Sequence, residues 1–124
     1  MIAIPKYLYH RTSIDSYMKI VMDKRIRHTG TPASCNKFKK LKFDANGNDT
    51  WHCVFLAATK ELTNGLTWGG DMVLKVRTGN LDPNKFKYDG NVGMAEYGRS
   101  FAYNDDIPSS EIVEATIDKW KFPL

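Results

Sequence analysis

The sequence predicts an α+β domain in which roughly five to seven strands gather beside one main N-terminal helix. Two observations lead there. Short runs rich in β-branched and aromatic residues recur along the chain, separated by Gly, Pro, Asn and Asp. Only one stretch repeats apolar residues at helical spacing, namely Ile14, Tyr17, Met18 and Val21. With 124 residues, 42% of them hydrophobic, the chain has the size of a single domain, residues 1–124, around one core.

The elements follow in order. Lys6–Thr12 is aromatic and extended by preference, and Pro5 sets its start. Ser13 is a natural helix N-cap, Asp15 lies in the first turn where the helix dipole favours it, and the helix should end near Lys24 with Lys and Arg in its last turn. Arg25–His28 reads as a short strand. From Thr29 to Thr50 no periodicity is visible, and Gly30, Pro32, Asn46 and Gly47 mark a long loop of the kind that is often functional. Trp51–Ala57 is the strongest strand signal, Thr59–Leu66 a short helix, and Asp71–Arg77 an alternating strand. Leu81–Asn84 is a turn, Gly90–Gly98 a loop, Ser100–Tyr103 a strand, Ile107–Ser110 a turn and Glu111–Ile117 a last strand. Asp105 and Asp106 read as solvated acids flanking the turn.

Composition narrows the classes of function. No apolar run approaches the roughly 20 residues of a membrane span. The opening residues lack the apolar stretch of a signal peptide, so a cytoplasmic protein without a membrane partner is the expectation. Cys35 and Cys53 then read as reduced thiols, and with no Cys-x-x-Cys and no nearby His pair, no metal site is expected. Asp44–Asp49 reads as a turn and not as the start of a calcium loop: Gly is missing from the sixth position, and Phe55 stands at the twelfth. The net charge of +4 favours an anionic partner, and the bias is local: Asp23 is the only acid between Lys19 and Lys42. Within that stretch Lys37, Lys39, Lys40 and Lys42 are interleaved with apolar residues and are the candidate nucleic-acid contacts.

Three separated segments carry more. Tyr9-His10-Arg11-Thr12-Ser13 turns from strand into helix, and Val54-Phe55-Leu56-Ala57 is an aromatic strand ahead of a short helix. Ser100–Ile112 runs through a strand, an Ile-Pro turn and a returning strand. In this order and spacing they resemble the DarT-like DNA ADP-ribosyltransferases and the RNA 2′-phosphotransferases, members of the ADP-ribosyltransferase-like superfamily, over roughly the whole chain.

That resemblance implies a split, strongly curved β-sandwich with NAD, as co-substrate, in a cleft between its halves. In such sites the first-strand His bonds the nicotinamide-side ribose and an aromatic ring stacks on the nicotinamide. A late Glu stabilises the charge that develops as the glycosidic bond breaks, or orients the acceptor. Carried over by position, His10 matches the family His and Thr12 its Thr, while Arg11 stands at a variable position from which it could reach a phosphate. Tyr17 and Phe55 are the candidate rings, so the implied NAD-binding set is His10, Arg11, Thr12, Tyr17 and Phe55. The departure is at the acid. Where relatives carry Glu at the head of the strand entering the Ile-Pro turn, this chain has Arg99-Ser100-Phe101. Glu96 is the nearest acid upstream and is taken, with His10, as the catalytic pair; Glu111, beyond Pro108, borders the last strand. If neither acid serves, Arg11, Arg25, Arg27 and His28 could supply the Arg and His set of the phosphotransferases.

The implied function is ADP-ribosyl transfer to a macromolecular acceptor, protein or nucleic acid, as in a toxin or a viral host-takeover or anti-defence factor. Two alternatives stand beside it. One is a non-catalytic inhibitor or nucleic-acid-binding module on the same fold. The other is a small basic ribonuclease using His10, His28 or His52.

Overall fold

The computed structural model describes residues 3–28, 53–65, 70–88 and 100–119. Strand β1 (Tyr7–Thr12) leads into helix α1 (Ile14–Asp23), followed by β2 (Arg25–Ile26). Next come β3 (Val54–Ala57), a 3₁₀ turn at Glu61–Gly65, β4 (Met72–Arg77), a 3₁₀ turn at Pro83–Lys85 and β5 (Phe86–Tyr88). The described chain ends with β6 (Ser100–Tyr103), β7 (Ile107–Pro108), a 3₁₀ turn at Ser109–Glu111 and β8 (Ile112–Ile117). Among the described residues the architecture is α+β: one α-helix and an open six-stranded sheet in the order β5-β6-β3-β1-β4-β8, with β2 and β7 forming a separate two-stranded ribbon. Each of these pairings is antiparallel.

Register divides the side chains between two faces, because successive residues of a strand point opposite ways. Leu8, His10 and Thr12 stand opposite Val76, Leu74 and Met72, on one face. Leu56 and Val54 stand opposite Phe101 and Tyr103. Of these, Leu8, Val54, Leu56, Leu74, Val76, Phe101 and Tyr103 form the apolar core with Phe86, Ile20, Ile26, Leu81 and Ile107. Leu8, Leu56, Leu74, Val76, Phe101 and Ile107 are fully buried. Tyr7, Tyr9, Arg11, Phe55, Val73, Lys75 and Arg77 fall on the opposite face.

The join between the two halves of the sheet is narrow. β1 pairs with β4 along its whole length, from Tyr7↔Arg77 to Thr12↔Met72, but meets β3 at the single pair Tyr9↔Ala57. Beyond that pair the β1–β3 ladder stops.

Helix α1 starts as its sequence dictates. Ser13 is extended, and its Oγ accepts from the Ser16 backbone N–H at 3.1 Å, satisfying one of the amides a helix start leaves unpaired. Ser13→Ala should therefore cost about 1 kcal/mol, seen as a lower urea midpoint at unchanged slope. The helix differs from expectation at two points. It stops at Asp23, with Lys24 as a left-handed cap, so no basic residue lies in its last turn. It also docks through Ile20 and Tyr17, leaving Ile14, Met18 and Val21 about half exposed or more. Apolar residues are spread widely around the helix, so the 3.6-residue period does not single out the inward edge.

Two strands depart from the sequence reading. Ile107–Pro108, expected as a turn, pairs with Arg25–Ile26 across the ribbon. β5 pairs with β6, and Tyr103 supports it through a tilted ring contact with Phe86 and a hydroxyl that accepts from the Asp82 backbone N–H at 3.1 Å. No helix among the described residues is long and apolar enough to cross a membrane.

Candidate functional site

The end of the β1–β3 ladder is where His10 sits. If the ladder continued past Tyr9↔Ala57, Arg11 would stand opposite Phe55. Instead the His10 ring bridges the gap, with Nδ1 at 2.8 Å from the Phe55 carbonyl oxygen. A carbonyl only accepts, so Nδ1 carries the proton and Nε2 of the neutral ring is left as an acceptor. Burial pushes the His10 pKa below its ordinary value, and the bond to Phe55 offsets that only in part. The imidazole is thus held neutral and in one tautomer. The residue keeps part of its surface open, and Nε2 has no hydrogen-bond partner among the described residues.

The other residues expected around His10 are placed differently. Phe55 offers its carbonyl, not its ring, because its side chain falls on the face opposite His10. Thr12 is buried beside Met72 at the end of β1. Tyr17 is partly buried against the core, the packing position its helical spacing also allows. Glu96, Lys37, Lys39, Lys40 and Lys42 lie outside the described residues, as do His52, Cys35, the segment 29–50 and the stretch Asp44–Asp49. Cys53 is buried.

Arg11 corrects an expectation. Its side chain has no exposed surface. Nε donates to Thr63 Oγ1 at 3.0 Å, and Nη1 donates to the backbone carbonyls of Gly70 and Asp118, both at 2.7 Å. Nη2 donates to Asp118 Oδ2 at 2.5 Å. The guanidinium ties β1 to three distant segments. These partners lie 52, 59 and 107 residues away, and no local pattern in the sequence points to them.

Glu111 is likewise structural. Buried at the end of its 3₁₀ turn, it accepts from Asn80 Nδ2 at 3.0 Å and from Arg77 Nε at 3.3 Å, fastening the β4–β5 connection to the start of β8.

A second polar cluster lies at the ribbon. Asp106 Oδ1 accepts from both the backbone N–H and Nδ1 of His28, at 3.0 and 2.6 Å. Its other oxygen meets Arg25 Nη1 at 3.2 Å. Asp105 takes the Asp106 backbone N–H on Oδ1 at 2.7 Å and Lys85 Nζ on Oδ2 at 2.5 Å. The two aspartates are therefore not merely solvated flanks of a turn: each is half-buried and engaged by a cation. For Asp105 the Lys85 bond, then the Asp106 amide, lower the pKa. For Asp106 burial pulls upward, but the bonds to His28 and the charge of Arg25 outweigh it, and the net shift is down. Depressed folded-state values mean that both groups support the fold above the ordinary carboxylate pKa. That support is lost as the pH falls through the lowered values. His28, Asp105 and Asp106 bring three ligand atoms within 4.8 Å of one another, but Arg25 and Lys85 already balance both carboxylate charges, so a dication meets no net negative charge there.

No protein-family model matches the chain, and no curated protein or solved structure matches it either.

Proposed function

We propose that the chain transfers ADP-ribose from NAD to a macromolecular acceptor, protein or nucleic acid, with the nicotinamide-side ribose held at His10. The observation that carries this reading is the fixed tautomer of His10 where β1 and β3 part company. A neutral imidazole with Nε2 as acceptor suits a ribose hydroxyl, which donates, better than a phosphate, which accepts. The three sequence segments that resemble the ADP-ribosyltransferase-like superfamily support the same reading. The single β1–β3 pair is in keeping with a sheet that divides into the two halves of a split sandwich. In this reading the Phe55 carbonyl borders the site by holding the His10 ring, and Glu96 supplies the catalytic carboxylate. The setting would be that of a toxin or a viral host-takeover factor.

The test is mass spectrometry of cell extract incubated with the protein and isotopically labelled NAD. Labelled ADP-ribose should appear on a protein or a nucleic acid. It should fall by about 10²-fold or more in His10→Ala, the scale for removing a group that stabilises the reacting centre. Glu96→Gln should abolish transfer while NAD still binds. Folded protein that yields neither label nor free nicotinamide would overturn the proposal in favour of a binding module.

A further inference from the structure

We propose that His28 and Asp106 form a second catalytic centre, independent of NAD, which cleaves RNA through its own 2′-hydroxyl. The inference does not rest on the NAD reading; it starts from the geometry at the ribbon. Asp106 holds His28 at two points, the backbone amide and Nδ1, which fixes both the position and the orientation of the ring. Because a carboxylate only accepts, the Nδ1 proton points at Asp106, and Nε2 of the neutral ring is the base. The His28 side chain is 32% exposed. This is the arrangement of a general base with its orienting partner.

The remaining groups select the substrate. Among the described residues the His28 ring bonds to Asp106 alone, and no Ser or Cys stands against it as nucleophile. The nucleophile must arrive with the substrate. RNA brings one, a 2′-hydroxyl next to the phosphodiester it attacks, whereas DNA does not. Arg25 and Lys85 flank the dyad, and their side chains are 49% and 42% exposed. Each meets an aspartate through one nitrogen and keeps further N–H donors for a phosphate. Arg27, on the same segment, pairs with Asp23, and so the local field is close to neutral. Attraction of RNA is left to the basic excess of the chain as a whole, +4.

The step balances without a co-reactant. Nε2 of His28 takes the proton of the 2′-hydroxyl as the 2′-oxygen bonds to the adjacent phosphorus. The bond from phosphorus to the 5′-oxygen breaks, and that oxygen takes a proton from solvent. The products end in a 2′,3′-cyclic phosphate and a 5′-hydroxyl. His28 is the catalytic residue, and Asp106 is a positioning residue.

The experiment incubates the purified protein, in chelator and without NAD, with a short fluorescent RNA and a DNA of the same sequence. RNA should be cut to cyclic-phosphate ends and DNA left intact. His28→Ala, or His28→Gln if the alanine variant does not fold, should slow cleavage by about 10²–10⁴-fold, the usual contribution of a general base. Asp106→Asn should lower kcat with KM changed by no more than about twofold. Uncut RNA would overturn the proposal. So would equal cutting by wild type and both His28 variants, which marks a contaminating nuclease, or an Asp106→Asn effect confined to KM. Transfer from NAD is read without RNA and cleavage without NAD, so the two proposals fail separately.

Discussion

Replacing Arg11 by leucine is expected to destabilise the protein by about 3–5 kcal/mol, the range for removing one partner of a buried ion pair. The side chain is fully enclosed, and leucine fills most of its stem but none of its donors. The Thr63 hydroxyl and the carbonyls of Gly70 and Asp118 would lose their Arg11 donors together. Leaving buried acceptors unmatched costs more than a typical hydrogen bond gains, because their hydration has already been given up. Asp118 is 36% exposed and can recover some water, which keeps the loss near the lower end of the range. Arg11→Lys should rescue only part of it, since one ammonium cannot span the positions that the planar guanidinium reaches. Urea denaturation gives the measure. A loss below about 1 kcal/mol for Arg11→Leu, less than one typical buried hydrogen bond, would mean that the four bonds do not hold the strands together, and would reopen Arg11 as a ligand-binding group.

Gly70→Ala should be of comparable size, about 3 kcal/mol or more, for a reason rooted in backbone rather than side chain. Gly70 has φ +120°, which residues with a Cβ rarely adopt. A Cβ there would lie 2.3 Å from the Thr12 carbonyl oxygen, 2.4 Å from its carbon and 2.7 Å from the Ser13 nitrogen. All three are main-chain atoms at the junction of β1 and α1, so no rotamer change relieves the clash. The control is Gly79→Ala, where a Cβ meets nothing within 4 Å and a change within about 0.5 kcal/mol is expected. Equal melting temperatures for the two variants would show that the chain at Gly70 moves aside freely. Because Gly70 also accepts from Arg11, the double variant with Arg11→Leu should lose less than the sum of the single losses.

What can be read from the sequence alone is what local chemistry determines. Ser13 announces the start of α1 because a hydroxyl before an apolar-periodic run caps a helix whatever surrounds it. β1, β4, β6 and β8 are legible from runs of branched and aromatic residues, to within a residue or so, and β3 falls inside the run that begins at Trp51. β7 is hidden because Ile107–Pro108 is too short to show alternation and becomes a strand only by pairing with β2. The inward edge of α1 depends on where the helix sits over the sheet. At the candidate sites the limit is the same. His10 can be named from its place on the first strand, but the carbonyl that fixes its tautomer lies 45 residues away. The tie between His28 and Asp106 spans 78 residues, and neither flanking sequence hints at the other.

The place of β1 in the sheet also bears on how the molecule assembles. The strand that comes earliest along the described chain is an interior strand, flanked by β3 and β4, while β8 closes the edge. Neither pairing of β1 is a local hairpin: its ladder with β4 sets Tyr7 against Arg77, its pair with β3 sets Tyr9 against Ala57, and the Arg11 clasp reaches Asp118. Every such closure must overcome the entropy of a long loop before its contacts reward it. Folding is therefore dominated by late, long-range encounters, in the slower millisecond-to-second regime of sheet proteins rather than the microseconds of helical bundles. Until β1 is seated, the apolar faces of β3 and β4 lack the strand that separates them, and the half-assembled sheet is the species most exposed to pairing with other chains.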